Sequence, residues 1–240
     1  MVVRQVLILQ PARYHGKGQR TEGVTATDRG VDTIFFDLDG TLTRATLNNT
    51  FTFIDAFFVT HHMYRRRALS WLCKGYCRIR HRDERRRRAA CITWLFSGLS
   101  RQKLEDFASG PYLALVKAHE NEAVAAALSR HRDAGNKTVL LTACTEIPAR
   151  AIASFYGIDE CIATTFRYDD DRVRGIGCDT YGEGKRVALE DAGYTAADLM
   201  HATYYVDPEP REDGVISSMG TVWAVDGKMC SLLQGGGSSG

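Results

Sequence analysis

A chain of 240 residues, 44% hydrophobic and 25% charged, is long enough for one well-packed core with a smaller appended unit, and its composition excludes bulk disorder. Its seven cysteines (73, 77, 91, 144, 161, 178 and 230) are scattered and contain no C-x2-C pair, which argues against a disulfide framework or a zinc ribbon and for a reducing, cytoplasmic setting. The net charge of +2 hides an asymmetry: between His61 and Ala90 eleven Lys or Arg stand against Asp83 and Glu84, a local +9 that leaves −7 for the rest.

The apolar run Val2 to Leu9 is too short and too interrupted to span a bilayer, and no clean small-residue cleavage site follows it. With the polar, Gly-rich residues 10 to 30 it reads as a partly flexible N-terminal extension. Thr33 to Phe36 is then rich in β-branched and aromatic residues, as a strand covered on both faces requires. The run stops at Asp37-Leu38-Asp39-Gly40-Thr41, where Gly40 supplies the turn and two alternating carboxylates face the same way at a strand's carboxyl end. A carboxylate attacks phosphorus when a cation neutralises the repulsion, and a second carboxyl can protonate the leaving oxygen, so the pattern points to phosphoryl transfer.

Residues 45 to about 118 carry apolar residues at three- and four-residue intervals (Phe51, Ile54, Phe57, Phe58, then Leu69, Leu72, Cys73, Tyr76), which predicts an all-helical insertion. A helix over Glu120 to Ala134, with Gly135 as its C-cap, leads to a strand over Thr138 to Leu141 that ends at Thr142. Helix Pro148 to Tyr156 and a strand near Cys161 to Ala163 follow, then a hairpin turning at Asp169 to Asp171. A helix over Lys185 to Ala192, a strand over Ala202 to Val206 stopping at Asp207, and a strand over Val222 to Val225 close the series. This alternation predicts a doubly wound parallel sheet of α/β class: core 31–44 and 119–230, helical cap 45–118, and a flexible, linker-like tail 231–240.

The Asp37–Thr41 segment resembles the first motif of the haloacid dehalogenase (HAD) superfamily. The run Tyr181-Gly182-Glu183-Gly184-Lys185 resembles its third motif, in particular that of the phosphoserine-phosphatase-like branch. The resemblance implies a Mg²⁺-dependent phosphatase. In it Asp37 is the nucleophile and Asp39 the acid/base; Thr142, Lys185, Gly40 and Thr41 bind the phosphoryl oxygens; Asp37, the Asp39 carbonyl and Asp207 hold the metal. The fourth motif departs from the common Asp-Ser-x-x-Asp: Arg211 falls where the second acid belongs, leaving Glu212 or Asp213 to assist through water. Two prolines stiffen that loop, which motivates a rival reading as a HAD-fold binding protein without catalysis.

Substrate selection falls to the helical cap. Its arginines (65 to 67 and 85 to 88) beside Phe51, Phe53, Phe57, Phe58, Trp71 and Trp94 read first as a solvated face over the insertion's own core. They also suit a lipid phosphate at an anionic membrane surface, as an alternative to a phosphorylated small molecule. No recognition motif supports nucleic acid. His61 and His62 read as surface or packing residues. Because Arg44-Ala45-Thr46 follows the first motif where acids would meet an amino group, phosphoserine itself is not expected.

Overall fold

In the computed structural model, which describes residues 32–80, 82–208, 213–226 and 229–233, the first apolar run becomes strand β1 (Thr33–Phe36) at the middle of a six-stranded sheet. Val2 to Leu9, the stretch 10–30, Arg211, Glu212 and the Gly235 to Gly240 linker lie outside the described residues. On one side β1 pairs in parallel with β2 (Lys137–Thr145), and β2 with β3 (Glu160–Thr164). On the other it pairs in parallel with β6 (Thr203–Val206), and β6 with β7 (Thr221–Asp226). An antiparallel edge strand β8 (Met229–Leu233) completes the order β3-β2-β1-β6-β7-β8.

Both faces of β1 are covered. Ile34 and Phe36 point into one apolar core, and Phe35 into a second core with Val139 and Leu141. Alternation on a doubly covered strand therefore yields a continuous apolar run in the sequence. Helices α6 (Glu122–Asp133) and α7 (Glu146–Tyr156) contribute Leu128 and Ile152 to the first core; α8 (Gly184–Asp191) and α9 (Ala196–His201) contribute Leu189 and Leu199 to the second. Chain order reverses at β1, so the crevice beyond its carboxyl end is the topological switch point where α/β sheets bind ligands.

Between β1 and α6 the described residues form five helices and no strand: α1 (Asn49–Thr60), α2 (Tyr64–Arg80), α3 (Glu84–Phe96), α4 (Arg101–Ser109) and α5 (Pro111–Ala118). Side-chain caps set three of their starts: Asn48, Asp83 and Ser100 accept the N–H of Phe51, Arg86 and Lys103. The Asp83 cap lets a run of four arginines begin a helix. No described helix is long and apolar enough to cross a membrane.

Three elements depart from the sequence reading. Strand β2 continues past Thr142 to Thr145, because a register shift between Leu141 and Thr145 carries it through an irregularity. Helix α9 has only six residues and is held by a capping box between Thr195 and Asp198, too short to show periodicity. Strand β8 takes up Ser231, Leu232 and Leu233, which the sequence assigns to the tail, by pairing across a hairpin with β7. The expected hairpin is present as β4 (Phe166–Asp169) and β5 (Arg172–Ile176).

Phe36 is fully buried and stacks on Tyr205 at 4.9 Å, and Tyr205 stacks in turn on Trp223 at 6.1 Å. Phe36→Ala should lower stability by about 3–5 kcal/mol, read as a reduced urea midpoint at unchanged slope.

Candidate active site

The β1 ladder ends where the Asp37 N–H donates to the Tyr205 carbonyl at 2.9 Å. The chain then folds over itself, with the Thr41 and Thr43 N–H groups both donating to the Leu38 carbonyl, at 3.2 and 2.9 Å. Gly40 sits at φ +83°, and a Cβ there would come within 2.3 Å of Asp207 Oδ2. Glycine is required twice over, for the left-handed backbone and for the approach of that carboxylate. Asp37, Asp39, Gly40, Thr142 and Asp207 line one cleft at this edge of the sheet.

Lys185 lies under the cleft and is wholly buried. Its Nζ donates to Asp37 Oδ1 at 3.0 Å and to the Tyr204 hydroxyl at 2.9 Å. A buried ammonium needs such partners, and it fixes the Asp37 carboxylate while offsetting part of its charge. The start of α8 is placed by Gly184, where a Cβ would meet the Asp179 carbonyl at 1.9 Å.

Asp39 Oδ1 accepts both the backbone N–H of Asn49 (2.8 Å) and its side-chain Nδ2 (2.6 Å). Burial nevertheless pushes the Asp39 carboxyl above its usual range; the Asn49 bonds and the charges of Arg88 and Lys185 only partly oppose it. A carboxyl whose environment favours the protonated form suits a proton donor. Thr142 is buried, and its Oγ1 accepts the Cys144 N–H at 3.0 Å, which leaves the hydroxyl free to act as a donor.

The Thr41 hydroxyl accepts the Asp207 N–H at 2.8 Å and so ties the turn after β1 to the Asp207 loop; like Lys185, the residue is fully buried. Glu212 lies outside the described residues. Asp37, Asp39 and Asp207 line the one cleft and form a hard-oxygen donor set, the chemistry that Mg²⁺ takes.

Arg88 was not singled out from the sequence, yet it lines the cleft from helix α3. Its guanidinium donates to the Ala143 carbonyl, stacks over Tyr181 at 5.0 Å and lies 3.5 Å from Asp179 Oδ1. The contact with Asp179 is made by the buried Nη1, as an ion pair without a hydrogen bond. Arg85 also pairs with Asp179, at 3.1 Å. The signal was helical phase: Arg88 precedes the buried Cys91, Ile92 and Leu95 at the same three- and four-residue spacing. Asn49 and Tyr204 carry no signal in the sequence, whereas Tyr181 opens the run that resembles the third motif.

A switch-point crevice with a strand-borne Asp-x-Asp pair, a buried lysine and a third carboxylate defines a doubly wound α/β hydrolase. The model of haloacid dehalogenase-like hydrolases matches residues 34–207, and the chain belongs to that family. No curated protein matches it by sequence. Among solved structures it is similar to a protein of unknown function from Bordetella pertussis Tohama I (22% identity, TM-score 0.65, 81% of this chain and 90% of that one). It is also similar to a phospho-aspartyl intermediate analogue of phosphoserine phosphatase (15% identity, TM-score 0.50, 82% and 87%). A third similar structure is a probable phosphoserine phosphatase from Vibrio cholerae (10% identity, TM-score 0.52, 80% and 55%). At these identities the likeness is one of fold.

Asn49→Ala keeps the backbone donor to Asp39 and removes the side-chain one. The Asp39 pKa should therefore rise further, measured by ¹³C NMR titration of the carboxyl, because the lost bond favoured the charged form.

Proposed function

We propose that this chain is a Mg²⁺-dependent phosphomonoester hydrolase working through an aspartyl-phosphate on Asp37. The observation that carries the reading is the Asp37 carboxylate, held by buried Lys185 at the end of β1 and facing the same cleft as Asp39 and Asp207. Asp37 attacks phosphorus while Asp39 gives its proton to the departing ester oxygen. Asp39, now a carboxylate, takes a proton from the water that attacks the phosphorus of the acyl phosphate, which releases inorganic phosphate and restores Asp37. Thr142 and Lys185 hold the non-bridging oxygens. Asp37, the Asp39 carbonyl and Asp207 would hold Mg²⁺, which would supply neutralisation of the phosphoryl charge.

Helices α1–α5 act in this reading as a cap over the cleft of a cytoplasmic enzyme, with Arg88 as its reader of substrate charge. A guanidinium that lines the cleft of Asp37, largely withdrawn from water and paired with Asp179 at 3.5 Å, supports a substrate bearing a second anionic group near the phosphoryl group.

One observation favours a membrane-borne phosphate over a freely soluble one. The outward face of α2 presents Leu69, Leu72, Tyr76 and Ile79 to solvent, Ile79 at 86% exposure, flanked by Arg65, Lys74, Arg78 and Arg80. An apolar stripe edged with basic residues is complementary to an anionic bilayer surface.

With an aryl phosphate, wild type should turn over only with Mg²⁺, Asp37→Asn should show no turnover, and Asp39→Asn should lose about 10²–10⁴ in kcat. No turnover in wild type would favour the binding-protein reading. Leu72→Glu/Ile79→Glu should abolish low-salt binding to phosphatidylglycerol vesicles while leaving aryl phosphate hydrolysis intact; wild type that ignores such vesicles would exclude the membrane reading.

A further inference from the structure

Helix α2 is packed inside out. Of its seventeen residues it buries only Ser70, Cys73 and Cys77, while Leu69, Trp71, Leu72, Tyr76 and Ile79 stay exposed. Helix α3 meets that seam with a third thiol, the buried Cys91. The three Sγ atoms lie within 4.8 Å of one another, Cys73 and Cys77 at 3.8 Å, and all three cysteines are free. Thiols are small, so a seam built from them buries less apolar surface than the leucines left outside would, and packing alone does not account for the choice.

We propose that Cys73, Cys77 and Cys91 form a three-thiolate site for a soft monovalent d¹⁰ cation, Cu⁺. Thiolates around one ion at a metal–sulfur distance near 2.3 Å stand about 3.8–4.0 Å apart, so the observed spacing needs little adjustment. The C-x3-C spacing puts two ligands one turn apart on a single helix face, and α3 supplies the third. Among the described residues no further His, Cys, Asp or Glu joins the group, which suits a three-coordinate ion better than tetrahedral Zn²⁺; the lack of oxygen donors excludes Mg²⁺. Binding breaks three S–H bonds, forms three metal–sulfur bonds and releases three protons to solvent, leaving a site of charge −2. The surrounding segment of local charge +9 compensates that charge. Bound ion would tie α2 to the helix that carries Arg88 into the cleft.

The test is anaerobic titration of the reduced full chain with Cu⁺ delivered from a coloured Cu⁺ chelator. The expected result is one ion withdrawn per chain, a new thiolate-to-copper absorption in the ultraviolet, and three cysteines protected from alkylation by mass spectrometry. Cys73→Ser, Cys77→Ser and Cys91→Ser should each weaken binding by about tenfold or more, with circular dichroism confirming that each folds, whereas Cys161→Ser should bind as wild type does. No withdrawal, protection of fewer than three thiols, undiminished binding in the single variants, or tighter binding of Zn²⁺ than of Cu⁺ would overturn the site.

Discussion

The buried pair of Lys185 and Asp37 is the constraint around which the rest is arranged. A lysine with no solvent exposure is tolerated only beside a counter-charge and a hydrogen-bond acceptor, here the Asp37 carboxylate and the Tyr204 hydroxyl. Removing one partner of such a pair costs about 3–5 kcal/mol, because the other is left charged in an apolar surrounding. The pair therefore fixes α8 to the carboxyl end of β1, and with it the angle of Asp37 toward the cleft. In the proposed reading, a carboxylate oriented by a fixed cation would meet an anionic phosphoryl group with less repulsion.

Close backbone approach does the rest of the positioning. Gly40 and Gly184 stand where a Cβ would collide with Asp207 and with the Asp179 carbonyl, at 2.3 and 1.9 Å. The first contact draws the loop after β6 onto the switch point; the second tightens the turn that leads into α8. Thr41, by accepting the Asp207 N–H, orients the third carboxylate from the same turn that carries Asp39. The turn after β1 thus sets the geometry of a residue 166 positions further along the chain.

How much of this is legible in the sequence depends on how local the cause is. The apolar runs ending at Asp37, Thr142 and Asp207 are local signals, and the strands they predict stand side by side at the switch point. The turn chemistry of Gly40 and the glycines before Lys185 are local as well. Thr41 is not: whether its hydroxyl faces the cleft or the Asp207 backbone depends on a strand far away in the chain. Arg88 hides among four consecutive arginines, and only the phase of α3 picks it out. The thiol seam was unreadable, because the apolar residues of α2 outnumber its cysteines and predict the opposite facing.

That reversal on α2 bears on how the helical insertion is held. The inner seam of α2 is poor in large apolar side chains, whereas α3 buries Ile92, Leu95 and Phe96, so α2 in particular is also held by polar contacts outside the hairpin. Arg67 pairs with Asp55 of α1 at 3.0 Å, and Arg85 and Arg88 both reach Asp179 in the loop before α8. The Arg67–Asp55 pair is solvent-accessible and contributes little on its own, about 0–1 kcal/mol. Arg88 differs: it is largely withdrawn from water and donates to the backbone of the strand that carries Thr142. Placement of α3 beside the cleft therefore rests in part on a guanidinium that also lines it. In the proposed reading, a substrate anion competing with Asp179 for Arg88 would act on the contact that seats α3, so binding would bear on the placement of that helix.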